Sequence, residues 1–386
     1  MRPSPALART TRAAFTLVEL LVVLVIITIV ISLVIPAVGK VRRKARLVVS
    51  QQLATQVVNA ASTFQQDKRR LPGYYSAREM GLKNNGDKTG AGMPAMLNAL
   101  LDLAGGVVST GAFASDDPDA IRVAPFPATG NKTAGMAWVN PSLIGAAGAG
   151  NKTAKGYIAL DKKYFYSPRP NAGANITRAG NLSVAIPDLN DAFGTPMLLW
   201  SADETMTDTI AFDNGTGGAG AGLHNNFVRE NSDENKNHPG PAMFYWASNG
   251  CYLNATSLGR ARTDQTKAGG TRDSSLIGGG NGELWNEQAL TTILGNPGLP
   301  RGDQTLGANY ILPAAPRGKF VVQCANPDGY YYQAKDKTAS GSLPLQYGHN
   351  YFLNDGTTLR KDAAGKPTNV DVTQAFNEDI LAVGGS

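Results

Sequence analysis

Cysteine and histidine are scarce in this chain: two Cys and three His among 386 residues. His224, His238 and His349 lie far apart without CxxC companions, so the ligand spacing of a zinc centre is missing and no metal site is predicted. There is no G-x-S-x-G nucleophile turn, no P-loop and no G-x-G-x-x-G on a strand–helix turn, which removes the usual marks of hydrolases and nucleotide-binding enzymes. Charge is also sparse, at 17% of residues, with 36 Lys and Arg against 30 Asp and Glu. Eight of those cations flank one apolar run, leaving 28 basic and 29 acidic residues in the stretch 47–386. A nearly neutral body of that kind excludes a nucleic-acid-binding domain. Gly and Pro (44 and 22) are frequent but aperiodic, which rules out a collagen-like chain, and 29 aromatic residues allow a packed core.

What the chain does have is one long apolar run. Residues 15–35, FTLVELLVVLVIITIVISLVI, carry a single charge, Glu19. As a helix the run spans roughly 31 Å, the thickness of bilayer hydrocarbon. It is apolar all round and rich in β-branched residues, which suits lipid better than a globular core. A carboxylate one turn into such a helix costs several kcal/mol unless it is paired or reaches the headgroups, which makes Glu19 a candidate functional residue. Arg2, Arg9 and Arg12 precede the run, and Lys40, Arg42, Arg43, Lys44 and Arg46 follow it. Counted naively, this asymmetry would place the carboxyl side in the cytoplasm.

The stretch Ala13-Ala14-Phe15-Thr16-Leu17-Val18-Glu19-Leu20-Leu21 resembles the cleavage and methylation site of type IV prepilins and type II secretion pseudopilins. The resemblance implies a basic leader (1–14) cut by prepilin peptidase between Ala14 and Phe15, followed by N-methylation of Phe15. It departs from the family at Ala14, where Gly is usual, and slower processing is expected from that change. The resemblance further implies that Glu19 pairs with the amino terminus of a neighbouring subunit, so that one contact sets the register of assembly. A buried charge of each sign is tolerable when the two are paired. Pro36 falls where many pilins have a helix-kinking proline. On this resemblance the leader is cytoplasmic and the body extracytoplasmic, a single-pass inner-membrane arrangement, with Lys40–Arg46 at the far headgroup layer. Its implied partners are prepilin peptidase, other pilin or pseudopilin subunits, the inner-membrane assembly platform and membrane lipid.

Beyond Pro36, Val41, Ala45, Val49, Leu53, Val57, Ala60 and Phe64 recur every three to four residues, so an amphipathic helix extends over 36–70 and stops at Leu71-Pro72-Gly73. From 71 to 386 the pattern changes to short apolar runs between Gly, Asn, Asp and Pro. Strands are expected at 156–160, 197–200, 243–247, 319–323 and 330–333, the last two forming a hairpin around Asn326-Pro327-Asp328-Gly329. Helices are expected at 93–104, with Pro94 in the first position, and at 283–294. The fold class is α+β: a long amino-terminal helix, its first half transmembrane, packed on an antiparallel sheet with large Gly-rich loops.

Two patches in the body resemble the pseudopilin branch. Asp191-Ala192-Phe193-Gly194-Thr195-Pro196 is similar to its D-P-W-G-x-P corner before a strand, and Trp246-Ala247-Ser248-Asn249-Gly250 to its W-S-x-G segment. In the major pseudopilin the latter leads into a calcium loop; here Cys251-Tyr252 stands in that place, and calcium is not supported. Asp116, Asp117 and Asp119 read as a solvated turn ahead of a calcium site. Cys251 and Cys324, 73 positions apart, are a candidate disulfide, with two unpaired buried thiols as the alternative. The expectation is a non-enzymatic subunit of a type II secretion pseudopilus or type IV pilus, without cofactor. The alternative is a single-pass membrane-anchored extracytoplasmic protein that binds a ligand or polysaccharide and does not polymerise.

Overall fold

The computed structural model describes residues 16–81, 93–110, 120–123, 137–140, 143–144, 156–158, 160–166, 175–178, 182–185, 188–203, 228–229, 244–253, 275–277, 283–301, 307–325, 327, 329–332, 345–353, 355–375 and 379–385. The chain forms two compact units, Met1–Val48 and Val49–Ser386. Helix α1 (Leu17–Lys68, 52 residues) supplies the first unit with its amino-terminal part and the second with its carboxyl-terminal part. Pro36 lies inside α1 and removes the amide that would bond the Ser32 carbonyl, yet the helix continues to Lys68.

In the first unit the apolar side chains of α1 are exposed, from Leu17 at 79% to Ile35 at 67%. The second unit is organised differently. From Val49 onward α1 buries one stripe, including Leu53, Ala54, Val57, Ala61 and Phe64, spaced as the sequence period predicted. Val41 and Ala45, earlier in the same period, are exposed.

The stripe packs on a three-stranded antiparallel sheet whose centre is Phe320–Cys324, flanked by Leu198–Ser201 and Ile380–Gly384. Alternation sorts the side chains of these strands to opposite faces. Leu199, Phe320, Val322 and Cys324 join α1 and α3 (Ala95–Leu103) in one core cluster. Leu198, Trp200 and Val321 join α5 (Glu283–Leu294) in the other. All five residues of the central strand are buried, as expected of a strand covered on both sides. Each buried Leu, Val or Phe in this sandwich contributes about 1.5–3 kcal/mol. At the sheet edge, a Cβ on Gly384 would stand 2.3 Å from the Phe320 ring and 2.8 Å from Val58 of α1, so only glycine lets that strand approach the helix.

Several expected elements are displaced. Tyr330–Tyr332, the described part of the expected strand 330–333, does not pair with the central strand. Tyr332 adopts φ +51°, the Tyr331 hydroxyl donates to the Pro196 carbonyl (2.6 Å), and the Tyr332 amide donates to Asp379 (2.5 Å). The ladder position is taken by the carboxyl-terminal strand Ile380–Gly384, a pairing across about sixty residues that no local turn signal announces. Around 156–160, the described residues form no strand; Tyr157 and Ile158 instead donate to the Leu103 carbonyl at the end of α3. Among the described residues of the expected strand at 243–247, Phe244–Tyr245 is extended and a 3-10 turn, Trp246–Asn249, follows. Pro94 is the N-cap of α3 and not its first residue. Helices α2 (Ala77–Met80, with Ser76 and Glu79 making a capping box) and α4 (Gly250–Leu253) were not foreseen.

The end of α1 is tied down electrostatically. The Arg70 guanidinium grips both oxygens of Asp102 on α3 (2.6 and 3.0 Å), and the Gly73 amide donates to the same carboxylate (2.7 Å). Deeper in the head, Arg317 pairs with Asp371. Asp188 is buried, with the Tyr252 hydroxyl donating to it, and burial pushes its carboxyl up to about 7 against the favourable Tyr252 bond. A raised carboxyl pKa means the folded state keeps a proton that the unfolded state releases. Its contribution is therefore complete below the ordinary carboxylate range and is lost as pH rises toward 7. Head stability is expected to fall as pH rises from about 4 to about 7, by at most about 1.4 kcal/mol per pH unit. Asp188→Asn, which keeps an acceptor for Tyr252, is expected to flatten that slope, as read from urea unfolding midpoints across pH.

Candidate functional site

The first turn of α1 is closed by its own side chains. The Thr16 amide and hydroxyl both donate to Glu19 Oε2 (2.9 Å each), and the Glu19 amide donates back to Thr16 Oγ1 (3.2 Å). This reciprocal pattern is a capping box, which satisfies helix-terminal donors that have no carbonyl to bond. Glu19 thus has a partner inside its own helix. Thr16 was not singled out from sequence, although Thr-x-x-Glu ahead of an apolar run is the signal that marks such a box. The carboxylate is held back toward the chain's amino end, and Oε1 takes no part in the Thr16 bonds. Ala14 and Phe15, the expected processing pair, lie outside the described residues.

After Glu19 the helix offers only apolar contact. Its most apolar window has a mean hydropathy of 3.2 and none of it is buried, so by length and composition it is fit to cross a membrane. The polar exceptions are self-satisfied: Thr28 and Ser32 donate to the carbonyls of Val25 (2.8 Å) and Ile29 (2.7 Å). Lys40, Arg42, Arg43, Lys44 and Arg46 are exposed directly beyond this window.

The two pseudopilin-like patches of the body are structural corners. Asp191 Oδ1 accepts from the amides of Phe193 and Thr195 (2.9 Å each), Gly194 turns at φ +89°, and the Ala192 amide donates to Ser50 on α1 (3.1 Å). Gly194 is needed there because a side chain would disfavour that left-handed conformation. Trp246 donates to the Ile277 carbonyl (2.8 Å), and the Asn249 amide group donates to Leu199 (2.8 Å), binding this segment to the sheet. Among the described residues no group of three or more His, Cys, Asp or Glu gathers as a metal site. Asp116, Asp117, Asp119, His224 and His238 lie outside the described residues; His349 is buried, its Nδ1 3.1 Å from the Leu353 carbonyl.

The candidate disulfide is not formed here. Cys324 is a free, fully buried thiol on the α1-facing side of the sheet, and burial pushes its pKa well up. Tyr252 and Leu253, which follow Cys251, belong to the cluster on the opposite face of the sheet. The side chain of Cys251 lies outside the described set.

A cavity of about 530 Å³ opens in the head between the end of α1 and the strand Leu198–Ser201, with Arg70, Tyr74, Tyr75, Glu79, Asp203 and Ser248 on its wall. Asp203 is buried and accepts from the Tyr245 hydroxyl (2.7 Å).

If the Thr16–Glu19 box sets the start of α1, Thr16→Ala is expected to cost about 1 kcal/mol of first-turn stability, while Thr16→Ser costs little. Amide exchange at residues 17–20 in detergent micelles reads this directly, with roughly fivefold faster exchange expected for Thr16→Ala alone.

No curated protein and no solved structure matches the chain. The family model described as the prokaryotic N-terminal methylation motif matches residues 9–35, which spans the end of the basic leader, the capping box and the apolar run to Ile35. Residues 9–35 are therefore a cleavage and methylation segment of the prepilin type.

Proposed function

We propose that this protein is a structural subunit of a type II secretion pseudopilus or type IV pilus, the substrate of prepilin peptidase and not itself an enzyme. The observation that carries the reading is a methylation motif that contains a capping box at the head of an exposed apolar helix. Cleavage between Ala14 and Phe15 would free an amine two residues before the helix starts at Leu17. Thr16 already occupies Glu19 Oε2, so a neighbour's protonated Phe15 amine would be received at Oε1. Each charge then loses less on leaving water than it would alone.

In this reading the residue 15–35 stretches bundle in the filament core, with the inner-membrane assembly platform and sister subunits as partners. The head from 49 onward stays extracytoplasmic, and no metal or cofactor is required. The apolar helix would anchor the unassembled subunit in the inner membrane.

One feature favours a second reading, an anchored protein that binds a ligand or polysaccharide without polymerising: the polar and aromatic cavity beside Tyr74 and Tyr75. The two readings part at the amino terminus. Intact mass and amino-terminal sequencing of the protein from its native membrane are expected to give a chain starting at N-methyl-Phe15; a chain retaining Met1 would favour the anchored binder. Glu19→Ala is expected to insert in the membrane normally and to be lost from sheared filaments, and unchanged incorporation would count against assembly through this carboxylate.

A further inference from the structure

The five cations after the apolar window form a collar and not a stripe. With Lys40 set at 0° on a helical wheel, Lys44 falls at about 40°, Arg42 at about 200°, Arg46 at about 240° and Arg43 at about 300°. The remaining sector, about 160° wide, holds only Ala37, Val38, Val41, Ala45 and Val48. Val38, Val41 and Val48 are 41%, 67% and 48% exposed. The segment is thus cationic around most of its girth and apolar on the rest, the make-up of a helix at a lipid–water boundary.

Its height along α1 matches that boundary. From Leu17 to Gly39 the helix rises roughly 35 Å, slightly more than the hydrocarbon, so Lys40 emerges at the headgroups. From Lys40 to Arg46 it rises about 9 Å more, close to the depth of one headgroup layer. The aliphatic stems of Lys and Arg can lie along apolar surface while their charges reach outward. Lys40–Arg46 brings +5 within seven residues, a density that complements lipid phosphate.

We propose that residues 37–48 are a binding collar for anionic phospholipid headgroups, which fixes the depth of the unassembled subunit in the leaflet opposite the leader. This rests on the helix being membrane-spanning, as in the function proposed above, but not on cleavage or polymerisation. Arg guanidinium groups hold phosphate bidentately and Lys as point charges, while Val38 and Val41, at the base of the collar, sit nearest the first acyl carbons. Extraction of the subunit from the bilayer must then break headgroup contacts as well as apolar ones.

The test uses the full uncleaved chain reconstituted in mixed phosphatidylcholine and phosphatidylglycerol vesicles. Spin-labelled lipids report which headgroup is enriched around the protein. Phosphatidylglycerol is expected to be preferred by roughly twofold to fivefold at low salt, with the preference fading as salt screens the charges. A variant carrying K40Q, R42Q, R43Q, K44Q and R46Q is expected to show no preference, and one that exchanges Lys for Arg at the same positions to keep it. Equal association of both lipids with the unaltered chain at low salt overturns the proposal, as does a preference that survives in the five-fold Gln variant. Salt-sensitive chain–chain association in place of lipid preference also overturns it, by assigning the collar to a neighbouring subunit. Since the uncleaved chain is used, a failure of processing at Phe15 leaves this outcome unaffected and is seen separately by mass.

Discussion

The head depends on a three-stranded sheet that has no solvent-facing side at its centre. Phe320–Cys324 is buried along its whole length, so both faces need an apolar partner. The carboxyl-terminal part of α1 with α3 covers one, and α5 covers the other. Removing either layer would expose a continuous hydrophobic strand. The close passage of Gly384 by Val58 and Phe320 shows how tightly the first layer is seated.

Around that sandwich, polar groups fix the loops. Asp191 folds the corner that enters the strand Leu198–Ser201, and Ser50 fastens the corner to α1. Arg70 and Asp102 join the end of α1 to α3, and Arg317 with Asp371 secures the region before the last strand. These groups are costly to bury without partners, so each selects one arrangement of chain among many of similar hydrophobic content. Asp188 adds a pH dependence to the same framework, because its burial favours the protonated form.

A single helix serves two environments. Through Val48 its apolar residues are exposed on all sides, and beyond Val49 it presents one stripe to a core. The change follows from composition: an uninterrupted apolar run suits hydrocarbon, whereas apolar residues every three or four positions suit a protein surface with water on the other side. Between them lies the cationic segment, which belongs to neither medium and is suited to the boundary. At the opposite end the Thr16–Glu19 box satisfies a carboxylate within its own first turn, so a charged residue is tolerated at the start of a lipid-compatible helix.

Much of this was readable from local pattern. The apolar run, the period through Leu53, Val57 and Phe64, the helix at Glu283–Leu294, the strand near 320 and the methylation motif all depend on residues close in sequence, where periodicity reports burial directly. The Thr16 cap was equally local and was passed over. What the pattern could not supply was the partner of the central strand: Tyr330–Tyr332 looks as strand-like as Ile380–Gly384. The choice fell to the distant segment because the tyrosine rings fill the α5-side core and their backbone bonds to Ser275, Leu276 and Asp379. The burial of the Cys324 thiol on the α1 side is of the same kind, since position along the chain says nothing about which face of a sheet a residue meets. The sequence by itself determined a prepilin-type, membrane-compatible helix and an α+β body, because those follow from near-neighbour composition. Only the tertiary structure decided strand pairing and thiol placement, because these depend on competition for buried space among segments far apart in the chain.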